Sequence, residues 1–326
     1  MLSLSGNLKR GFIVHDHVIR FAVSRGGKAD QLQTVYERYL PPDVIRNGNI
    51  IESETLLTIL AECLHNWRIK RGKVFLILPD SLSIVRRHQL PREVKTDDIT
   101  GELYQELGAS IHLPIDDPVI DWHLIRQTDA QNDVLLFAMS EAALEEYLQI
   151  FRQLKLKPQA ADLADLSLHR YLETTNTADL SGTYAMIRCY PHAVNVSIFQ
   201  DDCPLVMRHL MTELPKTKWS RFADGGEELM IRQGETEELT AAWQENIKEI
   251  FRLFTYYRYN YQDGEEGVEK ILLGGDHPDL ALFESMLKEQ SDLPFMTSET
   301  AAVEFNGQFI PLSHAEVIGL TMKKEV

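Results

Sequence analysis

Short apolar runs separated by turn residues open the chain and predict three successive β-strands. These runs are "FIV" at 12–14, "VIRFAV" at 18–23 and "QTVYERYL" at 33–40. The spacing then changes to three and four residues, which places Leu57, Leu60 and Leu64 on one face of a helix capped by Ser53. A continuous apolar run follows at 74–78 and ends at a proline. The first 80 residues therefore predict the order strand, strand, strand, helix, strand.

A self-contained unit interrupts this pattern at about residues 82–140. It consists of an alternating strand, a helix with apolar residues four apart, a second alternating strand and a buried strand. The four segments are "LSIVRRHQL", residues 97–107, "PVIDWHLIRQ" and "DVLLFAMS". A helix capped by Ser140, a short strand at 159–163 and a further helix complete a first half that spans about 1–178. We therefore expect a small β-α-β-β insert within this half.

The second half, 179–326, starts again with three strand patterns, which indicates a duplication. The strands are "TYAMIRCYP", "AVNVSIFQDD" and "CPLVMRHLM". Residues 213–236 are polar and are predicted to be an irregular loop, and they open a sub-part that extends to about 262. A long helix with a broad apolar face is predicted at 238–260, and a last helix at 312–322. The fold class is α/β, with two related lobes.

The charge balance narrows the classes of partner. The 326 residues include 49 acidic and 33 basic side chains, a net charge of −16. A surface this acidic repels nucleic acid and anionic membrane, so we expect neither as a direct partner. No apolar stretch reaches the length of a membrane span, and the N-terminus lacks a signal-peptide layout. Cys63, Cys189 and Cys203 form no C-x-x-C pair and fit a reducing cytoplasm.

Two glycines between a strand and a helix are the first candidate for chemistry. In "KILLGGDHPDLALFESML", Gly274 and Gly275 follow a short buried strand and precede a helix. Glycine lets a ligand approach the backbone, and the start of a helix presents N–H groups to anions. The pattern matches neither a P-loop nor a G-x-G-x-x-G fingerprint. It indicates a nucleotide site only if other segments supply walls for the phosphates.

Other candidate residues favour structural roles. His15 and His17 share one strand face around Asp16, but two ligands do not close a metal site, so we expect a solvated hairpin turn and no metal. Asp165 could serve as an acid, but we expect it to cap a helix. The tyrosines of 256–261 could stack a base, but their helical spacing favours the core. No nucleophile–base pair stands at usable spacing, which argues against an enzyme.

The order of several segments resembles the type IV pilus assembly protein PilM family. The closing region "WQENIKEIFRLFTYYRYNY…VEKILLGGDHPDLALFESMLKEQSDLPF" is similar to that family, and so is the insert "IVRRHQLPREVKTDDITGELYQELGASIHLPIDDPVIDWHLI". The resemblance implies an actin-like fold of two lobes whose C-terminal helix, about 312–326, returns to the first lobe. It also implies a cytoplasmic protein held at the inner membrane by the N-terminal tail of PilN. Cell-division actin relatives and the cytoplasmic part of type II secretion assembly proteins share this architecture.

The resemblance further implies ATP, bound by two hairpins and a Gly-Gly adenosine loop, but the hairpins depart from the family. Ile13 and His15 stand where the first hairpin needs an acid and a glycine, and Arg188 and Tyr190 stand at the matching positions of the second. Bulky side chains therefore occupy the phosphate space, and only Gly274–Gly275 remain. We expect a cytoplasmic scaffold of type IV or competence pilus assembly that is a pseudo-ATPase. The alternatives are an active ATPase or sugar-kinase relative and a type II secretion platform component.

The partner surface is predicted at the seam between the insert and the first lobe. An extended tail needs backbone pairing and apolar pockets between rigid pieces. The candidate residues beside the strand at 74–78 are Arg86, Arg87, Leu90, Pro91, Asp121 and Trp122. The alternative, that these side chains simply pack the insert onto the lobe, is nearly as well supported.

Overall fold

The structure is a computed structural model, and it describes residues 8–214, 219–224, 227–296, 303–305 and 308–324. The first lobe begins with an antiparallel meander of three strands, followed by a small two-stranded ladder, a helix and a strand parallel to β1. These elements are β1 (Leu8–Val14), β2 (Val18–Arg25), β3 (Leu32–Tyr39), β4 (Ile45–Arg46), β5 (Asn49–Ile50), α1 (Ser53–Asn66) and β6 (Gly72–Ile77). The order predicted for the first 80 residues is confirmed.

The insert follows β6 and folds as a three-stranded antiparallel sheet with one helix. Its elements are β7 (Ser83–Pro91), α2 (Ile99–Glu106), β8 (Pro118–Gln127) and β9 (Gln131–Ser140). The sheet order is β7-β9-β8, so the last strand lies in the middle. Leu90, Ile99, Leu103 and Val134 are buried together and form the insert's own core. The β-α-β-β order expected from the sequence is confirmed.

The chain then returns to the first lobe through α3 (Glu141–Gln153), β10 (Leu156–Asp162) and α4 (Ala164–Thr175). The completed sheet has the order β10-β6-β1-β2-β3. The strand expected at 159–163 begins three residues earlier, because Pro158 lies inside β10 rather than before it. β10 is an edge strand, and a proline is tolerated there because its missing N–H need not pair.

The second lobe repeats this topology. Its elements are β11 (Tyr184–Tyr190), β12 (Ala193–Gln200), β13 (Cys203–Met211), β14 (Trp219–Asp224), β15 (Glu227–Arg232), α5 (Thr236–Tyr261), β16 (Lys270–Gly275), α6 (Leu280–Lys288), β17 (Phe295–Met296), β18 (Val303–Phe305), β19 (Gln308–Ile310) and α7 (Leu312–Thr321). The main sheet has the order β13-β12-β11-β16-β17, which matches the first sheet strand for strand. The prediction of an irregular loop at 213–236 is wrong, because β14 and β15 form an antiparallel hairpin there. Residues 215–218 and 225–226 lie outside the described residues.

Helices α4 and α7 lie between the two sheets. One apolar cluster contains Ile13 and Ile77 of the first sheet, Met186 of the second, Leu168 of α4 and Val317 of α7. The outer face of the first sheet packs on α1 and α3, and that of the second packs on α5 and α6. The two central helices touch so closely that a Cβ at Gly319 would lie 1.9 Å from the Ser167 carbonyl oxygen. In the part of the chain that the structure describes, no helix has the length and apolar character of a membrane span.

Candidate functional site

The first hairpin, between β1 and β2, points its turn residues into the cleft between the lobes. His15 and His17 are both buried, so the expectation of a solvated turn is wrong. His17 Nε2 lies 2.8 Å from Asp276 Oδ2 of the second lobe, and His15 Nε2 lies 3.4 Å from Glu316 Oε2 of α7. The described residues include no group of three or more His, Cys, Asp or Glu that could hold a metal ion.

The second hairpin, between β11 and β12, contributes a fully buried arginine. Arg188 Nε donates to Asp165 Oδ1 at 2.7 Å and Nη1 donates to Glu316 Oε1 at 3.2 Å. Its Nη2 lies 3.1 Å from Asp80 Oδ2. Tyr190 donates its hydroxyl proton to Glu316 Oε1 at 2.6 Å. Three carboxylates from the first lobe and α7 therefore surround one guanidinium of the second lobe.

A second buried arginine crosses the cleft in the opposite direction. Arg20 of β2 is ion-paired with Asp276, and its Nε lies 2.5 Å from Glu37 Oε2. Asp276 follows β16 directly, and Asp80 follows the equivalent strand, β6, after Leu78 and Pro79. Each of these aspartates thus pairs with an arginine of the other lobe. Sequence reasoning missed this symmetry; the available signal was an Asp placed just after the same strand in both halves.

The charges in the cleft stabilise one another. Burial alone would raise the pKa of Asp276, but His17 and Arg20 outweigh it and hold that pKa far below its usual range. Burial likewise opposes ionisation of Glu316, yet Arg188 and His15 lower its pKa to about 2. Burial dominates at Asp165 and raises its pKa despite Arg188. The prediction that Asp165 caps α4 is wrong: its carboxylate instead accepts hydrogen bonds from Arg188 and Ser197.

Little space is left in the cleft. Between the two hairpins, a cavity of about 30 Å³ is lined by His15, Asp80, Tyr190 and His209, among others. A neighbouring cavity beside Trp219 holds about 50 Å³. Ligand pockets for molecules of drug size enclose roughly 300–1,000 Å³. The residues present therefore do not fit the phosphates of ATP, because side chains and their ion pairs fill that space.

Packing within the protein requires glycine at position 275, at the end of β16, and leaves little room for a side chain at position 274. Gly275 has φ +112°, and a Cβ there would lie 2.0 Å from the Cys189 carbonyl oxygen of the neighbouring strand. A Cβ at Gly274 would lie 3.0 Å from the Leu312 side chain of α7. Both glycines are explained without a ligand. Their residual adenosine role stays a prediction.

A much larger opening lies beside the insert. This groove encloses about 580 Å³ between β8 and β9 of the insert, α3, β10 and α4 of the first lobe, and the β12–β13 turn of the second. Its lining is largely apolar and includes Val119, Trp122, Phe137, Leu144, Ala161, Leu163 and Pro204. We call it the insert groove. It has the size of a ligand pocket, which the cleft lacks.

Comparison with known proteins identifies the family of the chain and matches its fold. A family model described as type IV pilus assembly protein PilM matches residues 13–208. The chain belongs to this family. A solved structure titled "PilM-PilN type IV pilus biogenesis complex" is 18% identical, with 96% of this chain and 97% of that chain covered and a TM-score of 0.76. The ethanolamine utilization protein EutJ from Carboxydothermus hydrogenoformans is 7% identical, with 98% and 90% covered and a TM-score of 0.50. No curated protein matches the sequence.

Only part of the predicted partner surface of this PilM-family protein comes together. Asp121 and Trp122 line the insert groove, and Trp122 Nε1 donates to Thr100 Oγ1 at 2.8 Å. Leu90 is instead buried in the core of the insert, and Pro91 lies exposed at the end of β7.

The two predicted arginines of β7 do not line the groove. Arg86 Nη1 donates to the His112 carbonyl oxygen at 2.7 Å. Arg87 binds buried Asp133 and lies over the ring of Tyr261 in the second lobe. The alternation of apolar and polar residues along β7 could not show which neighbouring element contacts each face of the strand. The groove residues Phe137 and Leu163 were missed because their apolar character is also typical of core positions.

Proposed function

We propose that this PilM-family protein is a scaffold of type IV or competence pilus assembly. It binds the N-terminal tail of a PilN-like inner-membrane protein in the insert groove, and this tail holds it at the cytoplasmic face of the membrane. It does not hydrolyse ATP. The observation that carries the proposal is the contrast between a groove of about 580 Å³ and a cleft whose two cavities hold only about 30 and 50 Å³.

The groove suits an extended peptide. Both β8 and β10 are edge strands of their sheets in the described part of the chain, and residues of both line the groove. An extended tail can donate and accept backbone hydrogen bonds along such an edge while alternate side chains enter apolar pockets. A tail rich in Asn, Leu and Pro fits this surface: Val119 and Phe137 offer apolar contact, and Asp121 offers an acceptor.

The ion pairs of the cleft support the proposal that the protein does not hydrolyse ATP. Phosphoryl transfer needs a bound metal and donors that face the phosphates. Here the buried arginines of the cleft, Arg20 and Arg188, are each ion-paired with buried carboxylates. Binding of Mg-ATP would have to break these pairs and leave charges buried, which costs several kcal/mol per ion.

A tail peptide tests the groove. Val119→Arg places a cation in the apolar lining, and we expect at least roughly tenfold weaker peptide binding, equal to about 1.4 kcal/mol. Ile231→Arg is the matched control, because Ile231 is also an apolar strand residue and is exposed to a similar degree, 42% against 37%. Fluorescence anisotropy of a labelled tail peptide measures the difference. Equal binding by the two variants would place the tail elsewhere.

Nucleotide binding is tested separately by calorimetric titration with Mg-ATP. We expect no heat of binding at micromolar protein and no phosphate release. Binding with turnover would refute the scaffold-only function while leaving the tail site intact, so the two results are independent.

A further inference from the structure

An arginine–tyrosine patch lies where the insert meets the second lobe, away from the cleft and the insert groove. Arg87 of β7 and Arg126 of β8 share one carboxylate, that of buried Asp133, at 2.7 and 2.6 Å. The Arg87 guanidinium also lies 5.7 Å from the ring centre of Tyr261 in α5. The insert and the second lobe therefore meet through an arginine and an aromatic ring.

Two more residues complete the patch, which we define as Arg87, Arg126, Arg208, Tyr256 and Tyr261. Arg208 lies on β13, which packs against β7, the strand that carries Arg87. Burial raises the pKa of Tyr261, and both arginines oppose this rise. Tyr256 lies 6.1 Å from Tyr261 between ring centres and is 45% exposed. Exposed tyrosine beside arginine is the composition enriched at the energetic centres of protein interfaces.

The arginines of the patch outnumber the described carboxylates to which they are ion-paired. Arg87 and Arg126 share one carboxylate, that of Asp133, on a chain whose net charge is −16. The exposed Arg208 makes its hydrogen bond to the Met207 carbonyl oxygen, and no described carboxylate lies within ion-pair distance of it. The exposed guanidinium groups of Arg126 and Arg208 are therefore the donors available to an external acceptor.

We propose that this patch docks an acidic segment of a partner protein. Carboxylates of that segment pair with Arg126 and Arg208, whose planar guanidinium groups bind carboxylate through two parallel hydrogen bonds. An apolar side chain of the segment covers Tyr256. This docking is independent of the tail in the insert groove.

An acidic protein segment suits this patch better than an anionic membrane does, because a segment contacts a small area of the protein and a membrane faces a large one. A short segment responds mainly to charges within a Debye length, about 8 Å at physiological salt, and on the patch it lies beside the exposed Arg126 and Arg208. A flat bilayer faces a wide surface, over which the net charge of −16 is repulsive.

The test uses the full chain and a fluorescein-labelled synthetic peptide in which Asp and Glu alternate with Leu. We expect salt-dependent binding to the wild type and roughly tenfold weaker binding to Arg208→Glu, the loss of about 1.4 kcal/mol. The matched control is Arg152→Glu, which makes the same charge change at a side chain of α3 that is 55% exposed. The PilN-like tail peptide is measured on the same variants, and we expect Arg208→Glu to retain it.

The proposal is overturned if the wild type does not bind the acidic peptide, or if both variants weaken binding equally. Vesicles rich in anionic lipid form the competing arm, and stronger binding of the protein to vesicles than to the peptide would also overturn it.

Discussion

Removing Arg188 tests whether the buried ion pairs hold the two lobes together. Arg188→Met keeps much of the side-chain volume but leaves Asp80, Asp165 and Glu316 without their shared cation. Arg188 and Glu316 are almost completely inaccessible to solvent, so water cannot replace the lost partner. Breaking a buried pair by removing one member costs about 3–5 kcal/mol.

This loss of unfolding free energy lowers the melting temperature. With an unfolding entropy of about 2.1 cal/mol/K per residue, this chain loses roughly 1.5 °C for each kcal/mol if the lobes unfold together. We therefore expect the melting temperature of Arg188→Met to fall by about 4–7 °C at neutral pH, measured by scanning calorimetry. Arg152→Met is the control, because the exposed pair with Glu145 contributes at most about 1 kcal/mol.

The decrease in melting temperature caused by Arg188→Met should depend on pH. In the wild type the pKa of Glu316 is about 2, below its value of about 4.3 in the unfolded chain. Ionisation of Glu316 therefore stabilises the fold fully above a pH of about 4.3, and this stabilisation is lost as the pH falls toward 2. Without Arg188, burial raises that pKa instead, and the carboxyl accepts a proton on folding. The difference in melting temperature between the two proteins should therefore narrow as pH falls from 7 to about 4.

Two outcomes would refute this reasoning. A fall of less than about 1 °C at neutral pH would show that the cleft is hydrated and the pairs are screened. A large fall that does not change with pH would show that lost packing, rather than unpaired carboxylates, is responsible. Adding Asp165→Asn to Arg188→Met should recover part of the stability, and a double-mutant cycle measures the coupling.

Two further predictions concern the cleft and the glycine pair at the end of β16. Gly275→Ala should lower the free energy of unfolding by roughly 3 kcal/mol or more, because the new Cβ would overlap the Cys189 carbonyl oxygen. Gly267→Ala is the control: no atom lies within 4 Å of its Cβ, so denaturant unfolding should show almost no change. Restoring the family pattern with Ile13→Asp, His15→Gly, Arg188→Asp and Tyr190→Gly together should give little gain in Mg-ATP affinity, because the surrounding packing fills the pocket. A large nucleotide-dependent rise in the melting temperature of that variant would show that the cleft reopens.

The local elements and the duplication were available from the sequence. Apolar alternation predicted β1 to β3, three- and four-residue spacing predicted α1 and α5, and the recurrence of three strands after residue 179 predicted the second lobe. These features are local, because burying one face of a strand or helix requires apolar residues at a fixed period. The resemblance to the family located Ile13, His15, Arg188 and Tyr190 at the hairpin positions where that family carries an acid and a glycine.

What those residues do was decided by tertiary structure. Arg20 and Asp276 are 256 positions apart, and Tyr190 and Glu316 are 126 apart, so no spacing in the sequence relates them. Asp165 has the sequence context of a helix cap, yet the approach of β11 makes it the partner of Arg188. Arg87 alternates like a surface residue, yet it meets Tyr261 because the insert packs on the second lobe. Hydrophobic period and helix or strand propensity act over a few residues of sequence. A buried charge, in contrast, is stabilised by the groups that the folded chain brings within hydrogen-bond distance. Only the packing of the two lobes and the insert decides which groups those are.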